Sequence, residues 1–358
     1  MGMRKRRALI AAISLAVMLP LAACTSGTDT EPSGSAAASG KTGGYVIGFS
    51  NSFNGNTYRQ AMEKYAKAAA DELMKTGEVK QVIFAEANQD NNKQIQQIQS
   101  FILQKVDAII VDPGSATALT AVVQEASDAG IPVIVVNDGP IESTADKVYQ
   151  ISFDAVAQMK TLTDYIAKGI GGKGTMIELR GAEGDAFDAK AHEGVVESLK
   201  AYPDIKVVAQ IYTDWNGSKA QTELAAALPN LLKQYGKING VVNQGGDSYA
   251  TVQAFQQAGA DLPMIGGDNR GFFLKWWANQ APTGYDTLSV SSNPWDGATA
   301  VYVATDVLSG KYNVPHTMTH PFAVITKDDV QQYKDVADEA IATPTFDRDW
   351  VRANLYKQ

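Results

Sequence analysis

The chain has 358 residues and a formal net charge of −8, from 31 Lys and Arg against 39 Asp and Glu. Such an acidic chain is poorly suited to bind nucleic acid, because affinity for the phosphate backbone needs clustered cations. Its single cysteine excludes an internal disulfide and a thiolate metal cluster.

The N-terminus has the features of an export signal. Basic residues 4–7 precede the uncharged stretch 8–19, which is too short to be the protein's own membrane span. The following Leu21-Ala22-Ala23-Cys24 resembles the lipobox of bacterial lipoproteins, which implies cleavage before Cys24 and acylation of its sulfur. We therefore predict a lipoprotein signal peptide over 1–23. Residues 24–43, rich in Ser, Gly, Ala and Thr, are predicted to form a flexible tether.

Beyond the tether, short apolar runs alternate with helical patterns, and the series occurs twice. The predicted strands are 45–49, 79–85, 106–111 and 131–136, then 174–179, 207–211, 240–243, 264–266 and 287–291. Helices are predicted between them, one of which (218–235) is interrupted or bent near Pro229, and a surface helix over 328–341. Continuously apolar strands are typical of parallel sheets covered by helices on both faces, so the fold class is α/β with doubly wound sheets.

The chain that follows the tether is longer than a domain with one hydrophobic core usually is, and its length suits two such domains. We therefore predict an N-terminal lobe of residues 44–151 plus 292–320 and a C-terminal lobe of residues 152–291 plus 321–358. The crossings between the lobes are expected near 151–153 and 292–294.

Polar side chains follow six of the predicted strands. They lie in 50–59, 88–92, 137–138, 244–247 and 267–270 and at Asp112. Parallel strands deliver their carboxyl ends to one edge of a sheet, so two facing sheets would line a shared cleft with these groups. Carboxylates and carboxamides can hold adjacent hydroxyls, and aromatic rings can cover the C–H face of a sugar. The pattern therefore predicts a binding site for a small polyhydroxylated molecule.

Several of these residues have a simpler interpretation. Asp247 and Asp268 precede helices and could act as N-caps, and Arg59 could be a solvated charge. Trp276 and Trp277 are adjacent on a helix, so at most one is expected to stack on a ligand. Among the three histidines no HExxH spacing occurs. We expect no metal site, no cofactor and no catalysis.

The order and spacing of several segments carry a family resemblance over residues 46–310. They are Ile47-Gly48-Phe49-Ser50, residues 131–138, Gln256-Gln257-Ala258-Gly259 ahead of Ile265-Gly266-Gly267-Asp268, and Val307-Leu308-Ser309-Gly310-Lys311. Together they make the chain similar to the ribose-type periplasmic solute-binding proteins, the extracellular receptors of sugar-importing ABC transporters. The resemblance implies two α/β lobes joined by a three-segment hinge that close on one sugar.

The resemblance also implies site residues. Asp268 matches an aspartate that holds sugar hydroxyls, Asn54 a first-loop asparagine, and Arg59 an arginine that some members use. Asn137 and Asp138 stand where the family has a carboxylate and an arginine. Gln244 or Asp247 must supply a contact usually given by asparagine. The remaining candidates are Ser50 in the first loop, Phe53 and Tyr58 as ring-covering residues, and Asn293 at a crossing.

Asn137 and Asp138 are themselves a departure from the family's pattern, and two more accompany it. Gly267 replaces an aromatic residue, and Ala189 and Lys190 stand near the place of a second-lobe arginine. The departures concern the identity of the sugar rather than the class of protein.

The predicted function is that of an extracytoplasmic, lipid-anchored receptor. It binds a monosaccharide or sugar alcohol between the lobes, delivers it to a membrane permease, acts as a monomer and does not bind nucleic acid. A sensor, chemotaxis or autoinducer receptor of the same fold is the main alternative. A lipid-anchored glycosidase is a further one and would need two opposed carboxylates roughly 5 to 9.5 Å apart.

Overall fold

The computed structural model describes residues 43–136, 140–143 and 145–357. The predicted signal peptide, Cys24 and most of the tether lie outside these residues, as do Asn137 and Asp138. In chain order the strands and helices are β1 (Tyr45–Asn51), α1 (Thr57–Lys75), β2 (Val79–Glu86), α2 (Asn91–Gln104), β3 (Ala108–Asp112), α3 (Ala116–Asp128), β4 (Val133–Val135), β5 (Val148–Ser152), α4 (Ala155–Gly169), β6 (Lys173–Arg180), α5 (Ala186–Leu199), β7 (Asp204–Tyr212), α6 (Gly217–Tyr235), β8 (Gly240–Asn243), α7 (Ser248–Gln257), β9 (Met264–Ile265), α8 (Gly271–Gln280), β10 (Ser289–Ser291), α9 (Asp296–Ser309), β11 (Thr317–Thr319), β12 (Ala323–Ile325) and α10 (Arg348–Asn354).

Two parallel sheets organise two lobes. The first has the strand order β11-β5-β4-β3-β1-β2, and the second has the order β7-β6-β8-β9. The short antiparallel pair β10 and β12 joins the second lobe through a bridge between Gly267 and Ser289. Every neighbouring pair within the two larger sheets is parallel. The predicted α/β class with two parallel-sheet lobes is therefore confirmed.

Helices cover both faces of the first sheet because its central strands are apolar throughout. All five residues of β3 are buried. Ile110 belongs to the core shared with α1 and α9, while Ile109 and Val111 belong to the core under α2 and α3. This arrangement leaves the carboxyl edge of the sheet to the connecting loops, where ligand groups are expected.

Helix α6 runs without interruption although Pro229 lies inside it, so the predicted interruption is wrong, and the alternative of a bend there stays a prediction. Residues 328–341 contain only a 3₁₀ turn at Val330–Tyr333, so the predicted surface helix is wrong. The carbonyl groups of Asp338 and Ala340 instead accept hydrogen bonds from the start of α8, at 2.9 Å each. Backbone groups committed to another element cannot also form a helix.

The C-terminal segment returns to the first lobe, so the assignment of 321–358 to the second lobe is wrong for α10. Val351 and Leu355, spaced by four, are fully buried in the core formed with α1 and α9. As a result, the described residues pass between the lobes four times, near 153, 293, 321 and 345. The fourth passage adds to the three that the resemblance implies.

His320 lies buried in the third passage and makes stability sensitive to acid. Its Nε2 is 3.2 Å from Thr299 Oγ1, and burial lowers its pKa to about 4. Between that value and the ordinary 6.5 the unfolded chain binds more protons, so the free energy of unfolding falls as pH drops through this window.

His320→Gln should reduce that acid sensitivity. We expect the melting temperature of the variant, taken relative to its own value at pH 7.5, to fall less between pH 6.5 and 4 than that of the wild type. Parallel curves would contradict the assignment. Because each melting temperature is compared with that of the same protein at pH 7.5, any loss of stability that the substitution causes at all pH values cancels out.

Candidate functional site

The carboxyl edge of the first sheet carries an ion pair at the start of α1. Asn51 and Asp112, the last residues of β1 and β3, are register partners. Asn56 caps α1 by accepting from the Arg59 N–H at 2.8 Å. The cap fixes the first turn of the helix, and the Arg59 guanidinium pairs with the fully buried Asp112 carboxylate. Arg59 is therefore an ion-paired residue at the sheet edge and not a solvated charge.

Asp296 adds a second buried carboxyl group to this corner. Its Oδ2 accepts from the Tyr58 hydroxyl at 3.4 Å, and its Oδ1 has no hydrogen-bond partner. Burial raises its pKa to about 7, although the nearby Arg59 charge and the Gly297 N–H each act to lower it. Sequence analysis missed Asp296 because it stands at a helix start rather than directly after a strand.

The other first-lobe candidates differ in how their polar groups are used. Asn54 donates to Glu63 Oε2 at 2.9 Å, and its own Oδ1 has no partner. The half-buried Phe53 ring lies so close to Gly55 that a Cβ there would collide with it. The fully buried Ser50 donates to Gln97 Oε1 at 2.8 Å. Asn293 is also fully buried and donates to the Pro344 carbonyl at 2.9 Å.

The structure brings Asp247 and Asp268 to the carboxyl edge of the second sheet. Asp247 follows β8, and its Oδ2 accepts from the Thr213 hydroxyl at 2.7 Å while Oδ1 has no partner. It precedes α7 but makes no side-chain cap bond. Asp268 follows β9, is 4% exposed, and accepts from the Arg270 N–H at 3.2 Å. The capping interpretation thus fails for both residues, because the N-cap position of α8 is Arg270 and the Asp268 bond closes a turn before the helix begins.

Asp247 should make the protein less stable as pH rises. Burial, and to a smaller extent the charge of Asp268, together raise its pKa to about 8. Between the ordinary value of 3.8 and about 8 the folded state holds a proton that the unfolded chain has lost, so stability falls with rising pH.

Asp247→Asn removes this titration, so the melting temperature of the variant minus that of the wild type should increase steadily from pH 5 to pH 8. Differential scanning calorimetry at constant ionic strength measures the difference. A difference independent of pH would show that the carboxyl group is not protonated in the folded protein.

Gln244 belongs to a buried network rather than to a free polar surface. Its Nε2 donates to Asp188 Oδ1 at 2.9 Å, and its Oε1 accepts from the Gly181 N–H at 3.1 Å. Asp188 forms a bidentate pair with Arg180, at 2.9 and 2.5 Å. Arg180 is the last residue of β6, so a guanidinium lies at this sheet edge directly before the loop over 181–187, whereas the family resemblance implies an arginine after that loop, near Ala189 and Lys190.

Aromatic residues also lie at this edge. Phe187 and Trp215 have ring centroids 6.3 Å apart, and the Trp215 indole packs directly against Gly181. By contrast, Trp277 is fully buried and Trp276 packs on Phe273 in the second core. Both tryptophans therefore pack in the second core, and neither takes the stacking role that was open to one of them. Gly267 has no room for an aromatic side chain, because a Cβ there would collide with Ser289 and Phe273.

A concave region of about 300 Å³ lies at the hinge and is shared by both lobes. Ser152, Phe153 and Thr319 line it from the first lobe and its passages, and Val156, Phe187 and Lys190 line it from the second. Across the described residues, no group of three or more His, Cys, Asp and Glu side chains is arranged to hold a metal ion. Nor does any helix in 43–136, 140–143 or 145–357 combine the length and apolar character needed to cross a bilayer.

Comparison with known proteins identifies this arrangement. A family profile described as a periplasmic binding protein domain matches residues 47–312. A xylitol-binding protein from Mycolicibacterium smegmatis is 30% identical over 289 residues, which are 80% of this chain and 76% of that protein. A ribose import binding protein from Bacillus subtilis is 25% identical over 292 residues, 81% of this chain and 90% of that protein.

A solved ABC transporter solute-binding protein from Thermobispora bispora superimposes with a TM-score of 0.78 at 29% identity, covering 87% of this chain and 94% of that one. The family profile covers all four strands of the second sheet and every strand of the first except β11, which lies beyond residue 312. The chain therefore belongs to the periplasmic binding protein family, and the predicted resemblance to its ribose-type members is confirmed.

Proposed function

We propose that the protein binds a monosaccharide or sugar alcohol between its lobes and delivers it to the permease of an ABC importer. The observation that carries the proposal is the position of four buried carboxyl groups. Asp112 and Asp296 lie at the carboxyl edge of the first sheet, and Asp247 and Asp268 lie at that of the second. Such groups are stable when they accept hydrogen bonds, and ligand hydroxyls are donors of the required kind.

The names of the relatives support this class of ligand. Xylitol and ribose both present a row of neighbouring hydroxyl groups, the pattern that paired carboxylate and amide oxygens can hold. Phe187 and Trp215 at the second sheet edge offer apolar faces of the kind that cover C–H groups of a sugar. These relatives are binding proteins, and we propose that this chain likewise holds its ligand without altering it.

Ligand binding would act by shifting the balance between open and closed lobes. A molecule that bridges both sheet edges has more contacts in the closed state, and its differential affinity favours that state. The permease would then recognise the closed form.

We propose that the mature protein is anchored to the outer face of the cell membrane by a lipid on Cys24. The basic leader, the apolar stretch and the small residues before Cys24 support this location. Cys24→Ala removes the acylated sulfur and should abolish labelling of the protein by radioactive palmitate while leaving sugar binding unchanged. Labelling of the variant equal to that of the wild type would refute the anchor.

A thermal-shift screen tests the ligand class. Pentoses, hexoses and polyols are offered separately, with xylitol and ribose included, because a ligand that binds only the folded state raises the melting temperature. We expect at least one to raise it in a concentration-dependent way, followed by a saturable heat in titration calorimetry. No response to the whole panel would refute sugar binding. Release of nitrophenol from chromogenic glycosides would show an enzyme instead.

A further inference from the structure

Residues 338–356, which we call the strap, are bonded to both lobes. On the second lobe the strap lies against the start of α8 and the Asp268 loop. The Gly271 N–H donates to the Ala340 carbonyl at 2.9 Å, and the Ala342 N–H donates to the Asn269 carbonyl at 2.8 Å. An isolated bridge between Arg270 and Ile341 continues this contact. The strap therefore pairs with the residues that directly follow Asp268.

Asn269 connects this loop to three other segments. It is fully buried, and its φ of 56° lies in the left-handed region that asparagine tolerates. Its Nδ2 donates to the Ala342 carbonyl at 3.2 Å and to the Ala323 carbonyl at 3.4 Å. Its N–H donates to Ser289 Oγ at 2.8 Å. The position of Asp268 is thus fixed through its neighbour by the strap, β12 and β10.

The other end of the strap is held firmly on the first lobe. Asp306, a fully buried residue of α9, accepts from Arg348 Nη2 at 2.6 Å and from Arg352 Nη2 at 2.8 Å. Val351 and Leu355 fill the core beneath these ion pairs. The apolar burial stabilises this anchor, and loss of Asp306 would leave two guanidinium groups without their buried partner.

A short stretch connects the two anchors. Residues 343–347 can span at most about 18 Å when fully extended. The stretch runs beside the second passage, where its Pro344 carbonyl accepts from Asn293 and its Phe346 carbonyl accepts from the Trp295 indole N–H. A connection this short limits how far the lobes can separate.

We propose that the strap is a fourth connection between the lobes that limits how far the Asp268 loop can move away from the first lobe, with Asn269 as the positioning residue. The inference rests on the proposed sugar site at Asp268. A restraint that narrows the motion of the free protein reduces the entropy lost on closing around a ligand. Loosening the strap therefore weakens binding without changing any group that contacts the ligand.

A slack-strap variant tests the connection. Gly-Ser-Gly-Ser is inserted between Ala342 and Thr343, which leaves both anchors intact, and the control carries the same insertion between Gly171 and Gly172 in the turn after α4. For the best ligand of the sugar panel, we expect the slack-strap Kd to rise about tenfold and the control Kd to stay within about twofold. In the absence of ligand, small-angle X-ray scattering should show a wider distribution of lobe separations for the slack-strap variant alone.

A double-mutant cycle tests the role of Asn269. Asn269→Gly keeps the left-handed backbone accessible and removes the side-chain bonds to Ala323 and Ala342. We expect it to raise Kd about fivefold in the wild type and to have no further effect in the Asp268→Ala background, because it acts only through Asp268. A purely structural role would instead lower affinity equally in both backgrounds.

The outcomes separate this inference from the proposed function. If the wild type binds nothing in the panel, the proposed sugar site is refuted, and the role of the strap is then judged from small-angle scattering of the two insertion variants alone. If the wild type binds sugar but the slack-strap variant has the same Kd and the same scattering as the control variant, the proposed role of the strap is wrong. If Asn269→Gly fails to fold, the insertion pair still gives the answer.

Discussion

Replacing Asp268 with alanine should weaken binding of the best sugar ligand by about 1–3 kcal/mol, which corresponds to roughly a 5- to 150-fold increase in Kd. Asp268 is almost completely buried at the carboxyl edge of the second sheet, and only one of its oxygens is used by a neighbouring backbone N–H. In the Asp268→Ala variant, the ligand hydroxyl that would bond to Asp268 has no acceptor once the lobes close. An unpaired polar group shielded from water reduces the free energy of binding.

Titration calorimetry on the wild type and on Asp268→Ala measures the effect. Asp261→Ala, a change at an exposed aspartate of the same lobe, is the matched control and should leave Kd unchanged. Asp268→Asn should give an intermediate loss, because it keeps the shape but not the charge. Equal affinity of wild type and Asp268→Ala would remove Asp268 from the site.

The second large effect concerns stability. Asp306→Asn should lower the free energy of unfolding of the first lobe by about 3–5 kcal/mol, because it leaves two guanidinium groups without their buried carboxylate. The side chains of Arg348 and Arg352 are only 12% and 21% exposed, and Asp306 is fully buried. The Tyr356 hydroxyl, which donates to Asp306 at 2.9 Å, loses a charged acceptor in the same variant.

Asp349→Asn is the matched control for this prediction. Asp349 also pairs with Arg352, at 3.3 Å, but its side chain is 91% exposed. We expect this substitution to change stability by less than about 0.5 kcal/mol, as is usual for surface pairs. Urea denaturation followed by tryptophan fluorescence measures both variants. Equal urea midpoints for the two would show that Asp306 does not hold the strap.

Individual residues show which features of the site the sequence can predict and which it cannot. Asp268 was predicted because it follows a strand, and parallel strands place their carboxyl ends at one edge; Arg59 was predicted from the loop after the first strand and from the family resemblance. Ser50 and Gln244 satisfied the strand-end rule and Asn293 was predicted at a crossing, yet each makes hydrogen bonds inside the protein. A sequence pattern places a residue near an edge but does not show which way its polar atoms point. The ligand roles of these residues, and of Asn137 and Asp138, stay predictions.

The amino-acid sequence by itself determined the alternation of apolar strands and amphipathic helices, and with it the two parallel-sheet lobes, because that periodicity is local and repeats along the chain. Only the tertiary structure decided that α10 returns to the first lobe and that Asp296 lies beside Tyr58 and Arg59. Both depend on contacts between residues more than forty positions apart, such as Arg348 with Asp306. No local pattern of charge or hydrophobicity encodes such a pairing, since it arises only when separate elements pack against each other.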